Sequence, residues 1–463
     1  MTSNELLQEE LFDGDSEQQE AESVPVLPLA QDANSPIPAL REVTAQVVKL
    51  GSDGKARAAS SGEDDEDGEA IVVLEDPEGL APKPAALSMW AYALATFFDG
   101  RRSAAQAVEA FAEKFKQPVP VQHALDLQNE LDRALFLYSS RFEKVLKRQI
   151  RSYLDDENRA PAHAGSAYPA ETEALEKTLL GFFETPDGPN GLPTRNESDT
   201  VRALMLPHID LRVGGATYAH GYAELIKKCQ ADLFIVLGVA HQAACDGLYY
   251  VSQKNYVSPA GVAKTNQAIA RRLQKASGVP VPMAEMAHRT EHSVEFQAVL
   301  LSSLLTQQKR DFEIVPVLCG PIETFLANEE SPLNDEGFRR FADALREELE
   351  TCKRKWCVIC SVDLSHVGPE FGHSAMMTDK LLLPVERGDR KWLKKVESLD
   401  ANAAYEEILR TQNSRHIDAV LATLTMLDAC RGKLKSAKLL HYDQMLKENS
   451  HSAVSYAAMS FES

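Results

Sequence analysis

The stretch KWCVICSVDLSH (355–366) runs from a near-continuous apolar segment straight into Asp363-Leu364-Ser365-His366. A short apolar run rich in valine and isoleucine reads as a strand buried on both faces, since a half-exposed strand would alternate. In open α/β sheets, ligands bind beyond the carboxyl ends of the strands, so a polar cluster at that point is where chemistry is expected. The same stretch contains a Cys357-x-x-Cys360 pair. On a strand, three-residue spacing sends two side chains to opposite faces, so we read the pair as buried thiols and give a redox or zinc role little weight.

Working outward, the pattern recurs. ALML (203–206) leads into Pro207-His208-Ile209-Asp210, and DLFIVLGV (232–239) into Ala240-His241. FEIVPVL (312–318), KLLHYD (438–443) and AVSYAAMSF (453–461) read as further strands, with helical stretches such as NQAIARRLQKA and FRRFADALREELE between strands. The expectation for residues 160–463 is an α/β domain built as a three-layer sheet with helices on both faces. One more cluster, His288-Arg289-Thr290-Glu291-His292-Ser293-Val294-Glu295, opens the apolar helix FQAVLLSSLL.

Each polar residue has an ordinary reading of its own. A histidine after a strand is commonly hydrogen-bonded structure, Glu291 and Ser293 suit a helix start, and Asp363 suits a turn. Recurrence at one sheet edge argues for a site. Imidazoles of His208 and His241 are natural donors for iron, copper or zinc, with a carboxylate completing a three-point face. Asp363 or Glu295 would supply that carboxylate or orient an imidazole, with His292 beside them. His366, with an ordinary pKa near neutrality, suits proton transfer. Donor nitrogens sharing one ion must lie within ~3.5 Å of one another. A serine nucleophile fits poorly, because no G-x-S-x-G turn is present and Ser365 is only a chain neighbour of His366. Gly214-Gly215 is not a phosphate loop, since no G-K-[ST] follows.

The formal charge of -20 is concentrated: residues 1–80 carry -16 and the remainder -4. Residues 1–80, with GEDDEDGE at 62–69, are expected to be a largely disordered acidic tail, with IVVL (71–74) able to add an edge strand. Residues 81–155 hold three amphipathic helical stretches, expected to form a small, mostly helical, winged-helix-like domain. No basic stripe favours nucleic acid, and no run of about 18 apolar residues favours a membrane span. The seven scattered cysteines and the absence of a signal-like N-terminus lead us to expect a cytoplasmic protein.

The motifs PHIDLRVGGATYAHGY (207–222), LGVAHQ (237–242), HRTEHSVEFQ (288–297), VPVLCG (315–320), SVDLSHVGPEFG (361–372) and the final LLHYDQ with SAVSYAAMSF together resemble the Memo family. The likeness is to its longer bacterial form, the AmmeMemoRadiSam system protein B, beginning near HAGSAYPAE (163–171). It implies a fold similar to LigB-type extradiol dioxygenases, metal ligation by His208 and His241, and pocket roles for Asp363 and His366, the latter at the place of the dioxygenase base. It also places a third ligand before the terminal strand, a cysteine in animal members and a glutamate in LigB enzymes. Here that segment, YDQMLKENSHSAVSY (442–456), has no cysteine, and Asp443, Glu448 and His451 are the residues nearby. More loosely, the module 81–155 resembles PqqD-like domains, which implies peptide binding beside a radical-SAM protein.

The resulting expectation is a metal-dependent redox or dioxygenase-like enzyme for a small-molecule or peptide substrate. His208 and His241 would hold iron in preference to copper or zinc, with His366, Asp363, His292 and Glu295 as catalytic residues. Two alternatives stay open: a non-enzymatic peptide-binding protein working with a radical-SAM partner, and a metal-assisted hydrolase.

Overall fold

A computed structural model of the chain describes residues 25–50, 56–58, 69–76, 80–241 and 247–463. The chain divides into two compact units, 1–153 and 154–463.

The first unit opens with a four-stranded antiparallel sheet, β1 (Thr44–Leu50), β2 (Ala56–Ala58), β3 (Glu69–Glu75) and β4 (Ala85–Ser88), in the order β2-β1-β3-β4. Helices Met89–Ala95, Ala104–Phe115 and Val121–Arg133 follow. Val72 and Leu74 of β3 join Leu94, Phe98, Phe111 and Leu131 in one core. This corrects two expectations. The small domain is not a clear winged helix, because its sheet, β1 to β4, precedes the helices. The segment 1–80 is also not uniformly a tail: Ala30, Ile37 and Ala39 are buried, and Arg41 forms a buried ion pair with Asp76 at 3.0 Å. Average charge over 80 residues hides short strand-forming pieces such as TAQVVKL (44–50), which pairs along its length with residues 69–75. Residues 1–24 and all of GEDDEDGE except Glu69 lie outside the described residues.

The second unit carries an 11-stranded mixed sheet. Its parallel centre is β6 (Val201–Leu206), β7 (Leu233–Val239), β11 (Glu313–Cys319) and β12 (Trp356–Ser361), in the order β6-β12-β7-β11. Beyond β11 lie β10 (Gly261–Thr265), β9 (Asn255–Ser258) and β5 (Asn158–Arg159), and β8 (Tyr249–Val251) pairs antiparallel with β11. At the other edge, β15 (Ser452–Glu462) runs antiparallel to β6, to β13 (Asp363–Val367) and to β14 (Ser436–Lys447). All six strands expected from apolar runs are present. The short strands β5, β8, β9, β10 and β13 carry no such run, and pairing with neighbours makes them strands.

Helices flank both faces. Leu233, Ile235 and Leu237 of β7 pack in the core that includes the helices Gln267–Ser277, Glu336–Thr351 and Val420–Ala429. On the other face Gly238 lies against the start of the helix His292–Gln307, where a Cβ would come within 2.5 Å of Ser293 Oγ and 2.9 Å of Val294. Cys360 joins the first core and donates to Ala422 O, whereas Cys357 meets Cys229, so the two thiols do point to opposite faces. No described helix is long and apolar enough to cross a membrane.

Candidate metal centre

Parallel pairing aligns the carboxyl ends of three strands, with Ser361 opposite Leu206 and Cys360 opposite Leu237. His208 follows β6 by two residues, His241 follows β7 by two, and Asp363 begins β13 immediately after β12. The helix His292–Gln307 brings its first residue to the same edge. Ser293 ties it there by accepting the Val239 N–H at 3.0 Å and donating to Val239 O at 3.1 Å. Buried Gln297 donates to Pro207 O and Ser361 Oγ, and Ser361 donates to Ser293 O, closing β6, β12 and the helix into one frame.

In that frame one ring nitrogen from each of His208, His241 and His292 lies within 4.8 Å of the others. The rings of His241 and His292 stack at 5.0 Å, and His208 stands edge-on to both, at 5.3 and 5.4 Å. Two carboxylates and one carbonyl hold them. Glu291, the N-cap of the helix, reaches Nδ1 of His241 at 3.1 Å and Nδ1 of His292 at 3.2 Å, and accepts the N–H of Ser293. His208 Nδ1 donates to Ser361 O at 3.1 Å, and Asp363 accepts the His208 backbone N–H at 2.9 Å. Each Nδ1 therefore faces an acceptor, which leaves Nε2 of all three histidines for the centre of the cluster.

Asp418 completes the arrangement. Its Oδ2 lies 2.8 Å from His208 Nε2 and 3.7 Å from His241 Nε2, while Oδ1 is buried with no hydrogen-bond partner among the described residues. Burial works against a charged His208, yet Asp363 and Asp418 raise its pKa to about 9. His241 likewise rises to about 10 against burial, through Asp418 and Glu291. Burial pushes Glu291 upward, but its bonds to His241 and His292 prevail and hold it well below the usual carboxylate range. The carboxylates that favour protons on these imidazoles would also favour a cation between them.

The donor set fits a divalent ion: three imidazoles, a carboxylate with an orphaned oxygen, and outer partners on every Nδ1. The limit of 4.8 Å is wider than the ~3.5 Å expected of nitrogens sharing an ion, so capture would draw the rings inward by roughly an ångström. The third donor is not where the resemblance implied. Asp443 accepts from Tyr456 at 3.2 Å, and His451 lies with Glu448 at the exposed turn between β14 and β15. Asp418 was missed because it precedes a helix, where aspartate reads as a cap. The one local signal is His416-Ile417-Asp418, which repeats the wording of His208-Ile209-Asp210.

The remaining expected residues separate. His366 donates through Nδ1 to Leu364 O and His416 O, both at 3.1 Å, and is close enough for its charge to act on Asp418. Glu295 is not at the cluster. Its oxygens accept from Arg159 at 2.6 Å, Tyr168 at 2.5 Å, and the N–H groups of Ala162 and His163, so its role is to anchor residues 159–168. His288 is fully buried between Tyr256 Oη and Tyr250 O, and burial lowers its pKa to about 4. A separate cavity of about 600 Å³, walled by Glu329, Glu330, Asp335, Glu336, Tyr405 and Glu406 among others, shares no residue with the histidine cluster.

Comparison with known proteins agrees with this architecture. The family described as Memo-like protein matches residues 159–460. A MEMO1 family protein of Aquifex aeolicus is 27% identical over 392 residues, covering 84% of this chain and 95% of its own length. One of Thermococcus onnurineus is 24% identical over 307 residues, covering 65% and 99%, and one of Methanobrevibacter smithii is 30% identical over 211 residues, covering 45% and 69%. The Aquifex match is longer than the family region and so extends outside it. Among solved structures, an uncharacterized protein JW3007 from Escherichia coli K12 matches at a TM-score of 0.29 with 14% identity, covering 56% of this chain and 99% of that one, and carries no argument. On the six motifs, the 302-residue span and these relatives, the chain belongs to the Memo-like protein family.

Proposed function

We propose that the second unit is a metal-dependent enzyme, with His208, His241 and His292 as nitrogen donors and Asp418 as the carboxylate. The observation that carries this reading is the shared orientation of the three rings, each Nδ1 held by an acceptor. Iron is the preferred ion, because imidazoles joined by a carboxylate form the donor set of non-haem iron oxygenases. Bound there, iron would supply redox chemistry toward dioxygen.

The protein's own groups divide the remaining work. Glu291 and Ser361 O fix the tautomers of the donors. His366, with Nδ1 donating to two carbonyls, presents Nε2 as a base for a small-molecule or peptide substrate. Asp363 holds the His208 backbone at 2.9 Å and lies 3.8 Å from its Nε2, adding negative charge to the centre. A second reading, metal-assisted hydrolysis, draws on the three-imidazole set, which also suits zinc. The first unit is proposed as a docking module for a radical-SAM protein, a role for which stoichiometric co-purification is the test.

Metal analysis after anaerobic iron, copper or zinc loading tests the central claim. One ion per chain in the wild type and none in His208→Ala or His241→Ala is expected, and a wild type that stays metal-free removes the reading. Turnover that requires oxygen would select the redox reaction, and turnover equal in its absence would select hydrolysis.

A further inference from the structure

We propose that Arg415, seated by Asp389, is a positioning residue that sets both Asp418 and His366 at the histidine cluster. The inference rests on the metal-centre reading for what Asp418 does, and on hydrogen-bond geometry for how it is held.

The loop that delivers Asp418 is unusual. Gln412, Asn413 and His416 have φ of 50°, 43° and 51°, a left-handed backbone uncommon for residues with a side chain. Such conformations persist where the surroundings over-determine them. Two devices do so here. Within the loop, buried Asn413 donates from Nδ2 to Ile417 O at 2.8 Å and accepts the Ile417 N–H at 3.0 Å, which closes a ring around residues 413–417. Outside it, Arg415 Nε donates to Ser365 Oγ at 3.0 Å and lies 3.4 Å from Asp389 Oδ1.

Asp389 is a fully buried carboxylate in the helix Asp379–Glu397, and the metal-centre reading makes no use of it. It accepts from Ser365 at 2.5 Å, Ser455 at 2.6 Å and Tyr442 at 2.9 Å, drawing β13, β15 and β14 onto one point. The residue before it is Gly388, where a Cβ would come within 2.7–2.9 Å of the Arg415 guanidinium. Glycine is the costlier choice against alanine inside a helix, and here it leaves the room that the guanidinium occupies.

The consequence at the cluster is direct. With the guanidinium pinned, the Arg415 carbonyl accepts the His366 backbone N–H at 2.7 Å, and the next carbonyl, His416 O, accepts from His366 Nδ1. The stretch whose carbonyls, Arg415 O and His416 O, hold His366 leads two positions on to Asp418 against His208. One guanidinium thereby sets the proposed base and the proposed carboxylate together.

The test uses cobalt(II) as the probe, titrated anaerobically into the full chain and read by its visible absorption, with histidine tautomers read from ¹⁵N shifts. Gly388→Ala, which removes no polar group, and Arg415→Met should each weaken cobalt binding by about 10–100-fold, the range for loss of an outer partner. Both should also broaden the His366 Nδ1–H signal. Because Arg415 acts through Asp418, Arg415→Met combined with Asp418→Asn should lose little more than Asp418→Asn alone; additive losses would overturn the proposal. Should Arg415→Met fail to fold, Gly388→Ala carries the test, and wild-type affinity with an unchanged tautomer overturns it. Should the wild type bind no cobalt, the metal reading falls. The His366 tautomer in Gly388→Ala then decides the positioning claim alone, and an unchanged signal counts against it.

Discussion

The helix His292–Gln307 begins between two polar clusters that are alike in composition and different in closure. On one side Glu295, Arg159, Tyr168 and two backbone N–H groups satisfy one another, two donors to each carboxylate oxygen. On the other side Asp418 reaches His208 through Oδ2 and leaves Oδ1 buried without a partner among the described residues. Buried polar groups normally find partners within the chain, and a group that does not is a reason to look for a ligand. The first cluster is complete as it stands and holds the start of the domain in place. The second leaves a carboxylate oxygen open among the described residues, and the proposed ion would fill that gap.

Breaking each cluster should therefore have different consequences. The largest effect belongs to the donors: His208→Ala or His241→Ala should abolish stoichiometric metal uptake, measured by elemental analysis after anaerobic loading. Next comes Glu295→Ala, which removes the carboxylate paired with buried Arg159. Loss of one partner of a buried pair costs about 3–5 kcal/mol. Urea unfolding should show that loss while the folded fraction still takes up metal. If Glu295→Ala instead lost metal and kept its stability, the distinction between the clusters would collapse.

Smaller changes sharpen the contrast. Glu291→Gln removes the charge that both His241 and His292 lean on, and should weaken metal binding by about 10–100-fold in a competition titration. The gentlest test is pH. His208 and His241 have folded pKa values raised to about 9 and about 10, above an unfolded value near 6.5. The stabilisation from their protonation is fully present below about pH 6.5 and is lost as pH rises through 9 and 10. Metal-free protein should lose stability across that interval, by an amount moderated at His241, whose side chain is 34% exposed. Metal-loaded protein should not, because the ion replaces the protons, and loading near pH 7.5 should release protons into a weak buffer. A loaded protein that tracks the metal-free curve would contradict the shared-position argument.

Much of the site was legible because strand ends are local features. Apolar runs announced β6, β7 and β12, and the residues just beyond them, His208, His241 and Asp363, do meet. His366 was readable on the same grounds, although its neighbours Arg415 and His416 were not. The helix start HRTEHSVE was legible as a cluster but not in its roles. His292 and Glu295 are three positions apart and share a helical face, so spacing alone could not say that one turns to the histidines and the other to Arg159.

The amino-acid sequence by itself determined the α/β character of residues 160–463, the positions of the central strands along the chain and the strand ends where His208, His241 and Asp363 meet. Hydrophobic periodicity and strand termini are written in neighbouring residues, and any folded form must respect them. Only the tertiary structure decided that Asp418 lies against His208, that Glu295 anchors residues 159–168, and that β1, β3 and β4 pair in one sheet. Each of these depends on partners far away in the chain: Asp418 on a loop bent back by Arg415 and Asp389, Glu295 on Arg159, β1 on β3. A side chain's role in such cases is set by which acceptor or charge the folded chain brings within about 3 Å, and no local pattern encodes that meeting.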